Sequence, residues 1–292
     1  MAGAMASDPL RELLAALDLV PLADDVFEGR CVERERPRMF GGELLGQMLA
    51  AAGRTADGRA PRSIHVDFLA VGDPVRPVEY HVRRARDGRR LAQRQVAARQ
   101  GDRELAVAVA SFTAEVVDPF EHQQDAMPEV PGPDGLASEL EEREAIAERL
   151  APADRAWLLA PRAVEVRQVR PVPLLDPPPV PPTANTWLRA IGAVPDDPLV
   201  HAAVLAYASD TTLLDIACYP RAVSWIDPRM EQASLDHAMW FHRPFRMDEW
   251  VLYAQAAISV AAGRALVRGS VFAADGRLVA SVAQEGLSRL LR

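Results

Sequence analysis

Residues 233–244 read Ala-Ser-Leu-Asp-His-Ala-Met-Trp-Phe-His-Arg-Pro, and they alternate for several positions as a half-buried β-strand does, with bulky Leu235, Met239 and Phe241. The same short segment also holds these hydrogen-bonding or charged residues: Ser234, Asp236, His237, His242 and Arg243. A purely structural strand rarely needs so many polar groups in one run. The segment therefore predicts a strand that contributes both to a sheet and to a functional site.

The elements on either side of this segment predict a duplicated chain. The second half is predicted to contain strands at 186–191, 234–241, 250–260, 265–273 and 278–287, with a helix over 199–208. The first half is predicted to contain strands at 26–33, 63–70, 75–84, 91–99 and 104–116, with a helix opened by Phe40-Gly41-Gly42. Because the matching strands that begin at Ser63 and Ser234 lie about 170 residues apart, the repeat is a duplicated domain rather than a short-period array.

This order of elements predicts an α+β fold with two similar units. In each unit a curved antiparallel sheet wraps around one central helix and leaves an edge of the sheet open. Pairing of the two open edges gives one continuous sheet. The predicted architecture is therefore a double hot-dog, with two tandem hot-dog units.

Changes in composition divide the chain into three predicted segments: an N-terminal hot-dog unit over 1–127, a proline-rich connector over 128–182 and a C-terminal hot-dog unit over 183–292. A strand predicted at 163–170 leaves open a start near residue 163 for the last unit. Within the connector, Ser138 and Glu141 have the spacing of a capping box and predict a helix. Asp197 and Pro198 predict the start of the second central helix.

Composition excludes several classes of function. With a net charge of -8 over 292 residues, the chain lacks the overall basic character of a nucleic-acid-binding protein. Arginines cluster only over residues 76–103, which we interpret as the solvated face of strands; the alternative is a patch for an anionic ligand. Hydrophobic residues make up 49% of the chain, so it can bury a substantial core.

The cysteines and the apolar runs bear on the compartment. Cys31 and Cys218 are too few and too far apart to suggest a disulfide framework or a zinc site, which favours a reduced, cytoplasmic setting. No apolar run approaches the length of about 18 residues that a membrane helix requires, so we expect no membrane insertion.

Four motifs occur in order along the chain: Phe40-Gly41-Gly42-x-x-x-Gly46-Gln47, Tyr207-Ala208-Ser209-Asp210, Asp236-His237-x-Met239-Trp240-Phe241-His242-Arg243-Pro244 and Ser281-Val282-Ala283-Gln284-Glu285-Gly286. Together they resemble the acyl-CoA thioesterase II family, whose members are double hot-dog enzymes that hydrolyse fatty acyl-CoA. The resemblance covers residues 26–287. It implies that the substrate is a small-molecule acyl-CoA and that the products are a free fatty acid and CoA.

The resemblance also implies the site residues. In that family an acidic residue, a Thr or Ser hydroxyl and a Gln amide hold and activate the hydrolytic water, and the matching positions are Asp210, Ser234 and Gln284. The chain departs from the family pattern at 69–73, which reads Leu-Ala-Val-Gly-Asp, and at Leu91, where the family usually has an aromatic residue. These departures bear on acyl-chain preference and on contacts with CoA.

The chemistry of the residues is consistent with this assignment. Asp210, at or just after the end of an apolar helix, needs partners and suits a general base; the alternative is a local cap or an exposed helix residue. Ser234 has no His and acid in triad register, so we interpret it as a hydroxyl that orients water rather than as a nucleophile; a structural serine at a strand edge is the alternative. Gln284 offers a donor and an acceptor from one amide.

Gly41 and Gly42 are the candidate oxyanion donors. Their backbone N–H groups open the first helix, where no side chain blocks a carbonyl and the helix dipole favours negative charge. The second helix has Asp210 but no Gly-Gly, whereas the first has no carboxylate at the corresponding end, so we predict one composite site per chain. Bulk at Gly42 is expected to lower turnover and to leave the fold intact. The alternative is a glycine pair that only permits a turn or close packing.

The histidines favour neither a metal site nor a triad. His237 and His242 are five residues apart on a predicted strand and face opposite sides, so we expect structural hydrogen bonds from both. No motif implies a metal or a cofactor, since CoA is part of the substrate.

Two other functions remain open at this point. A hot-dog enoyl-thioester hydratase would need a His–acid pair at the helix, for which His201 near Asp197 is a candidate. A non-catalytic acyl-CoA-binding or regulatory protein would bind the thioester without turnover. In every case we expect a homo-oligomer, either a dimer or a tetramer. The sequence does not predict the preferred acyl-chain length.

Overall fold

The computed structural model describes residues 8–32, 38–114 and 118–291. The helices are α1 (Pro9–Leu17), α2 (Gly41–Arg54), α3 (Glu139–Glu144), α4 (Pro152–Leu158) and α5 (Pro198–Ser209). The strands are β1 (Val20–Ala23), β2 (Val26–Gly29), β3 (Ala60–Phe68), β4 (Val78–Asp87), β5 (Leu91–Gln100), β6 (Arg103–Thr113), β7 (Val164–Gln168), β8 (Thr183–Ala190), β9 (Met230–Ser234), β10 (Asp236–Phe241), β11 (Val251–Ala261), β12 (Arg264–Ala273) and β13 (Leu278–Leu290).

In the described part of the chain these strands form one antiparallel sheet in the order β1-β2-β4-β5-β6-β3-β10-β13-β12-β11-β8-β7, and β9 pairs with β13. The order of the first six strands is mirrored by that of the last six. The halves join where β3 pairs with β10, from Asp236 opposite Asp67 to Trp240 opposite Ser63. The predicted continuous sheet and the double hot-dog fold are therefore confirmed.

The two central helices lie antiparallel inside the curved sheet. Every residue of α5 from His201 to Ser209 is buried, as expected for a helix that is apolar on all sides. Its predicted start is confirmed, because the Asp197 carboxylate accepts from the N–H of Leu199 at 2.8 Å. Small residues let the helices approach closely: a Cβ at Gly46 would lie 3.0 Å from the carbonyl oxygen of Ala203.

The predicted single strand over 234–241 is wrong, because the structure divides it into β9 and β10. At the division, the Asp236 carboxylate accepts from the N–H of Glu285 at 2.6 Å and takes the place of a backbone carbonyl in the ladder. Leu235 lies between the two strands, and it donates to the carbonyl of Glu285 at 2.9 Å. The alternation of inward and outward side chains is thereby reset.

Other boundaries also differ from those predicted. Strand β4 begins at Val78 rather than at residue 75, because the Asp73 side chain accepts from the N–H of Val75 at 3.0 Å and closes a turn. Strand β1 was not predicted, since its residues are all exposed and include Pro21, so no alternation marks it. The predicted strands at 26–33 and 104–116 extend partly outside the described residues.

The connector contains two short helices. The capping box predicted for α3 is confirmed, with Ser138 Oγ accepting from the N–H of Glu141 at 3.2 Å and Glu141 accepting from the N–H of Ser138 at 2.7 Å. Helix α4 was not predicted. Among the described residues, no helix combines the length and the apolar character that crossing a membrane would require.

Candidate active site

Asp210 lies at the junction of the two central helices. It is the C-cap of α5, and a Cβ built on Gly41 at the start of α2 would lie 2.7 Å from its Oδ2. The carboxylate is only 4% exposed, so it needs nearby partners to stay charged. The first turn of α2 supplies a positive dipole end beside it. Asp210 therefore occupies the helix C-cap, which was the alternative interpretation from the sequence. Its carboxylate is also buried in a polar cluster.

The structure brings together Asp210, Ser234 and Gln284. Ser234 Oγ donates to Asp210 Oδ1 at 3.1 Å. Gln284 Nε2 donates to the same Oδ1 at 2.6 Å and to Ser234 Oγ at 2.7 Å. The orientation of the amide follows from Asp210, because a carboxylate oxygen accepts from Nε2 and repels Oε1. Ser234 at the end of β9 and Gln284 in β13 thus converge on one carboxylate oxygen of Asp210, the C-cap of α5.

His237 also faces this cluster, which the sequence analysis did not predict. Its Nδ1 lies 3.8 Å from Asp210 Oδ1, and its Nε2 lies 2.9 Å from Ser209 Oγ. Ser234 and His237 are three positions apart, so an uninterrupted strand would place them on opposite faces; the division at Leu235 turns both inward. The Asp236 side chain next to that division was the available signal, since a carboxylate can break a ladder by accepting a backbone N–H.

Burial lowers the pKa of His237 to about 3, because the imidazolium would lose its hydration. His237 is therefore neutral at neutral pH and forms no ion pair with Asp210. The expected structural hydrogen bonds are confirmed, with His237 contacting Ser209 and with His242 Nε2 lying 2.8 Å from Ser281 Oγ.

The buried His237 predicts that stability falls in acid. The pKa is about 3 in the folded chain and about 6.5 when unfolded, so between these values only the unfolded chain binds the proton. The free energy of unfolding should then decrease as the pH falls through this window, by up to ~1.4 kcal/mol per pH unit. Urea unfolding at about pH 7 and about pH 5 measures this decrease. Between the two pH values the free energy of unfolding of wild type should fall by ~2 kcal/mol more than that of His237→Gln.

The exposed His122 provides the control for that experiment. His122→Gln should keep the wild-type pH dependence, because its ring is not transferred from water on folding. Equal pH dependence in His237→Gln and wild type would show that burial of His237 does not set the acid sensitivity.

Gly41 and Gly42 have different surroundings. A Cβ on Gly41 would meet the Asp210 side chain, whereas a Cβ on Gly42 would lie 2.4 Å from the backbone carbonyl oxygen of Tyr207 in α5. The expectation that bulk at Gly42 leaves the fold intact is therefore wrong, since the helices would have to separate. Gly42 is needed for close packing, as the alternative held, and Gly41 is the position at which bulk reaches the candidate site.

The opposite ends of the two helices are closed. The C-cap of α2 is Thr55, which corresponds in position to Asp210 at the end of α5. A Cβ on Gly53 there would lie 2.4 Å from a side-chain carbon of Leu199, and the fully buried Arg94 donates to Thr55 Oγ1 at 2.7 Å, so packed side chains fill the region. This end is therefore a second buried polar cluster, built on Arg94 and Thr55, and its helix C-cap is a threonine rather than a carboxylate.

A cavity of about 560 Å³ opens onto Asp210, Ser234 and Gly41. Its size falls in the range typical of small-molecule sites, about 300–1,000 Å³. Apolar side chains form much of its wall: Met39, Phe40, Leu44, Phe68, Leu69, Val71, Leu214, Ile226 and Met230. The segment over 69–72, where the sequence departs from the family pattern, contributes to this wall. The cavity can hold an apolar group against the polar cluster.

The His–acid pair required by a hydratase is engaged elsewhere. His201 Nδ1 accepts from the N–H of Met247 at 3.0 Å, and burial lowers the pKa of its ring. Asp197 caps α5. Neither residue lines the cavity that contains Asp210. The structure therefore does not bring His201 and Asp197 to this site.

The fold and this site define a double hot-dog protein with a polar cluster at the wall of an apolar cavity. A family model described as "Acyl-CoA thioesterase" matches residues 178–287, and one described as "Acyl-CoA thioesterase N-terminal domain" matches residues 33–113. The chain belongs to the acyl-CoA thioesterase II family, which consists of thioester hydrolases. The resemblance inferred from the four motifs is thus confirmed.

Individual relatives match over almost the whole chain. The chain is 34% identical to acyl-coenzyme A thioesterase 8 of Homo sapiens, covering 96% of this chain and 90% of the relative, and 32% identical to acyl-CoA thioesterase 2 of Haemophilus influenzae, covering 97% and 99%. A solved structure of the tesB protein from Mycobacterium avium subs paratuberculosis has a TM-score of 0.80 at 32% identity, covering 97% and 100%. The acyl-CoA thioesterase II TesB2 from Mycobacterium marinum has a TM-score of 0.75 at 36% identity, covering 96% and 97%.

Proposed function

We propose that this chain hydrolyses fatty acyl-CoA to a free fatty acid and CoA through a water molecule activated by Asp210, Ser234 and Gln284. The observation that carries the proposal is the convergence of Ser234 and Gln284 on Asp210 Oδ1 at the wall of an apolar cavity. Family membership supports the reaction class. The arrangement supports a polar reaction centre beside a compartment for an acyl chain.

In the proposed mechanism Asp210 is the general base. It removes a proton from water as the water oxygen attacks the thioester carbonyl carbon. Ser234 and Gln284 hold the water and the carboxylate in the geometry for attack. Because the 4% exposed carboxylate is shielded from bulk solvent, its interactions with nearby dipoles are stronger than they would be in water.

The start of α2 is the proposed oxyanion site. The first backbone N–H groups of a helix have no acceptor within the helix, so those of Gly41 and Gly42 can donate to the negative oxygen of the tetrahedral intermediate. Collapse of this intermediate breaks the carbon–sulfur bond. The proton held by Asp210 then passes to the CoA thiolate, which restores the carboxylate and balances the reaction.

The direct test is free-thiol release from short-, medium- and long-chain acyl-CoA by the purified chain. We expect release of CoA and fatty acid in equal amounts, because each turnover consumes one water and one thioester. Tight binding of acyl-CoA without thiol release would contradict the proposal and support a non-catalytic acyl-CoA-binding protein. Addition of water to an enoyl-CoA without loss of the thioester would support the hydratase.

Substitutions of Ser234 distinguish activated water from an acyl-enzyme. If Ser234 orients water, Ser234→Ala should lower kcat by about 10- to 100-fold, the effect of losing a hydrogen bond to a charged partner, and Ser234→Thr should retain most activity. Intact-protein mass spectrometry during turnover should show no added acyl group. An acyl adduct on wild type, together with complete loss of turnover in Ser234→Ala, would identify Ser234 as a nucleophile.

The compartment and the assembly are further parts of the proposal. We propose a cytoplasmic enzyme of fatty acid metabolism, which is supported by two buried cysteines that form no disulfide with each other.

We also propose a homo-oligomer, either a dimer or a tetramer. Exposed apolar side chains on the sheet, such as Val109, Ile258 and Leu266, support this assembly. Light scattering of the purified chain measures its mass in solution and would contradict the proposal if only a monomer were found.

A further inference from the structure

A second cavity, of about 330 Å³, lies between the connector and the C-terminal half. Its apolar wall comes from both parts of the chain: Ile146, Val172, Leu174, Leu175, Val223 and Trp225. Three residues, Arg143, Asp215 and Trp225, line this cavity and also the cavity that contains Asp210. The two cavities are therefore neighbours that share one wall.

The shared wall has a fixed side and a side that can move. Arg143 is 4% exposed, and it donates to the carbonyl of Leu158 and to the Glu139 carboxylate, which ties α3 to α4. Trp225 is only half-buried, with its ring centre 5.4 Å from that of Trp157. A rotation of the Trp225 side chain can join the cavities, whereas movement of Arg143 would break buried hydrogen bonds.

The charges of the second cavity indicate which part of an acyl-CoA it can accept. Its wall contains three acidic residues, Glu139, Glu142 and Asp215, and two arginines, Arg143 and Arg149, which form ion pairs with Glu139 and Asp176. Burial and the neighbouring Glu139 raise the pKa of Glu142 to about 7, so this region already resists added negative charge. Since both arginines are already paired with carboxylates, this cavity favours an uncharged hydrocarbon chain over the phosphates of CoA.

We propose that the second cavity receives the distal end of the acyl chain and that Trp225 controls entry from the cavity containing Asp210. This inference rests on the proposed function for the identity of the ligand. It assigns Val172 and Leu174 as residues that set chain-length preference, and Trp225 as the barrier between the two cavities. The preferred substrates are then acyl-CoAs long enough to pass Trp225.

The test measures binding separately from turnover. S-butyl-CoA and S-hexadecyl-CoA, thioethers that cannot be hydrolysed, are titrated into the full chain by calorimetry. Wild type should bind S-hexadecyl-CoA more tightly. Val172→Phe should weaken the binding of S-hexadecyl-CoA by about fourfold for each methylene excluded from the second cavity, or about 50-fold for three methylenes. The affinity for S-butyl-CoA should be unchanged. Trp225→Ala should retain the preference for the long chain.

The matched control is Val130→Phe, the same substitution at a half-buried connector valine that lines neither cavity. It should leave both affinities unchanged. If Val172→Phe does not fold, Leu174→Trp fills the same cavity and replaces it. The inference is overturned if wild type binds both thioethers with equal affinity. It is also overturned if filling the cavity leaves the tighter binding of S-hexadecyl-CoA intact, or if it lowers the affinity for both thioethers by the same factor.

Thiol release, assayed in parallel, distinguishes failure of the inference from failure of the proposed function. Chain-length-dependent binding that is lost in Val172→Phe, without thiol release by wild type, would support the cavity assignment and contradict hydrolysis. Thiol release that is indifferent to Val172→Phe at every chain length would support hydrolysis and contradict the cavity assignment.

Discussion

Asp210→Asn is expected to lower kcat for acyl-CoA hydrolysis by about 1,000-fold, within the range attributed to general-base catalysis. The amide has nearly the same shape as the carboxylate but cannot take a proton from water. It also loses charge-assisted bonds, because Gln284 Nε2 donates to Asp210 Oδ1 at 2.6 Å and Ser234 Oγ donates to the same atom. Thiol release under saturating acyl-CoA measures the loss, and calorimetry with S-hexadecyl-CoA tests whether binding persists.

Asp236→Asn is the matched control for this substitution. Asp236 is a half-buried carboxylate on the adjacent strand, and it accepts a backbone hydrogen bond from Glu285 that an Asn side chain can also accept. It does not line the cavity that contains Asp210. We therefore expect close to wild-type kcat. A wild-type rate in Asp210→Asn, or an equal loss in Asp236→Asn, would contradict the role of Asp210 as base.

Local patterns in the sequence predicted most of the fold. A period of about 2 residues marked strands in both halves and one of about 3.6 marked α2, whereas α5, which is apolar on all sides, was predicted from its start signal. Start signals such as Asp197-Pro198 and the Ser138–Glu141 capping box depend on contacts within a few residues, and both were confirmed. The repeat of the strand order then predicted one continuous sheet, and the structure makes the join where β3 pairs with β10.

The parts that were missed depend on contacts between distant residues. The division between β9 and β10 arises because Asp236 accepts from Glu285, far along the chain, and only this division places His237 beside Asp210. The contact of Gly41 with Asp210 requires α2 and α5 to lie antiparallel. The helix contact has no local signature in the sequence, and Asp236 is a local signal only for a break in the strand, not for the distant partner that causes it. The same holds for the second cavity, whose walls come from the connector and the C-terminal half.

The glycine at the start of α2 provides the second large effect. Gly41→Ala keeps the backbone N–H but is expected to lower kcat/KM by about 100- to 1,000-fold, because the added Cβ displaces the catalytic base, whose contribution lies in the range of general-base catalysis. The added Cβ would lie 2.7 Å from Asp210 Oδ2 and 3.3 Å from the Phe68 ring, so the carboxylate must move away from Ser234 and Gln284. Stability should change little, since Ala favours a helix by about 1 kcal/mol over Gly and offsets the contact. Kinetics and thermal unfolding measure the two effects separately.

Gly46→Ala is the matched control, because it makes the same change one turn further along α2, away from Asp210. Its Cβ would lie 3.0 Å from the backbone carbonyl oxygen of Ala203, which cannot turn away as the Asp210 side chain can, and 3.2 Å from a side-chain carbon of Leu17. This contact should outweigh the same gain in helix propensity and lower the midpoint of thermal unfolding. The activity of the folded fraction should remain close to wild type. The two variants should therefore show opposite patterns: Gly41→Ala is stable and slow, and Gly46→Ala is less stable and active. Normal activity in Gly41→Ala would show that hydrolysis does not depend on close approach of the α2 backbone to Asp210.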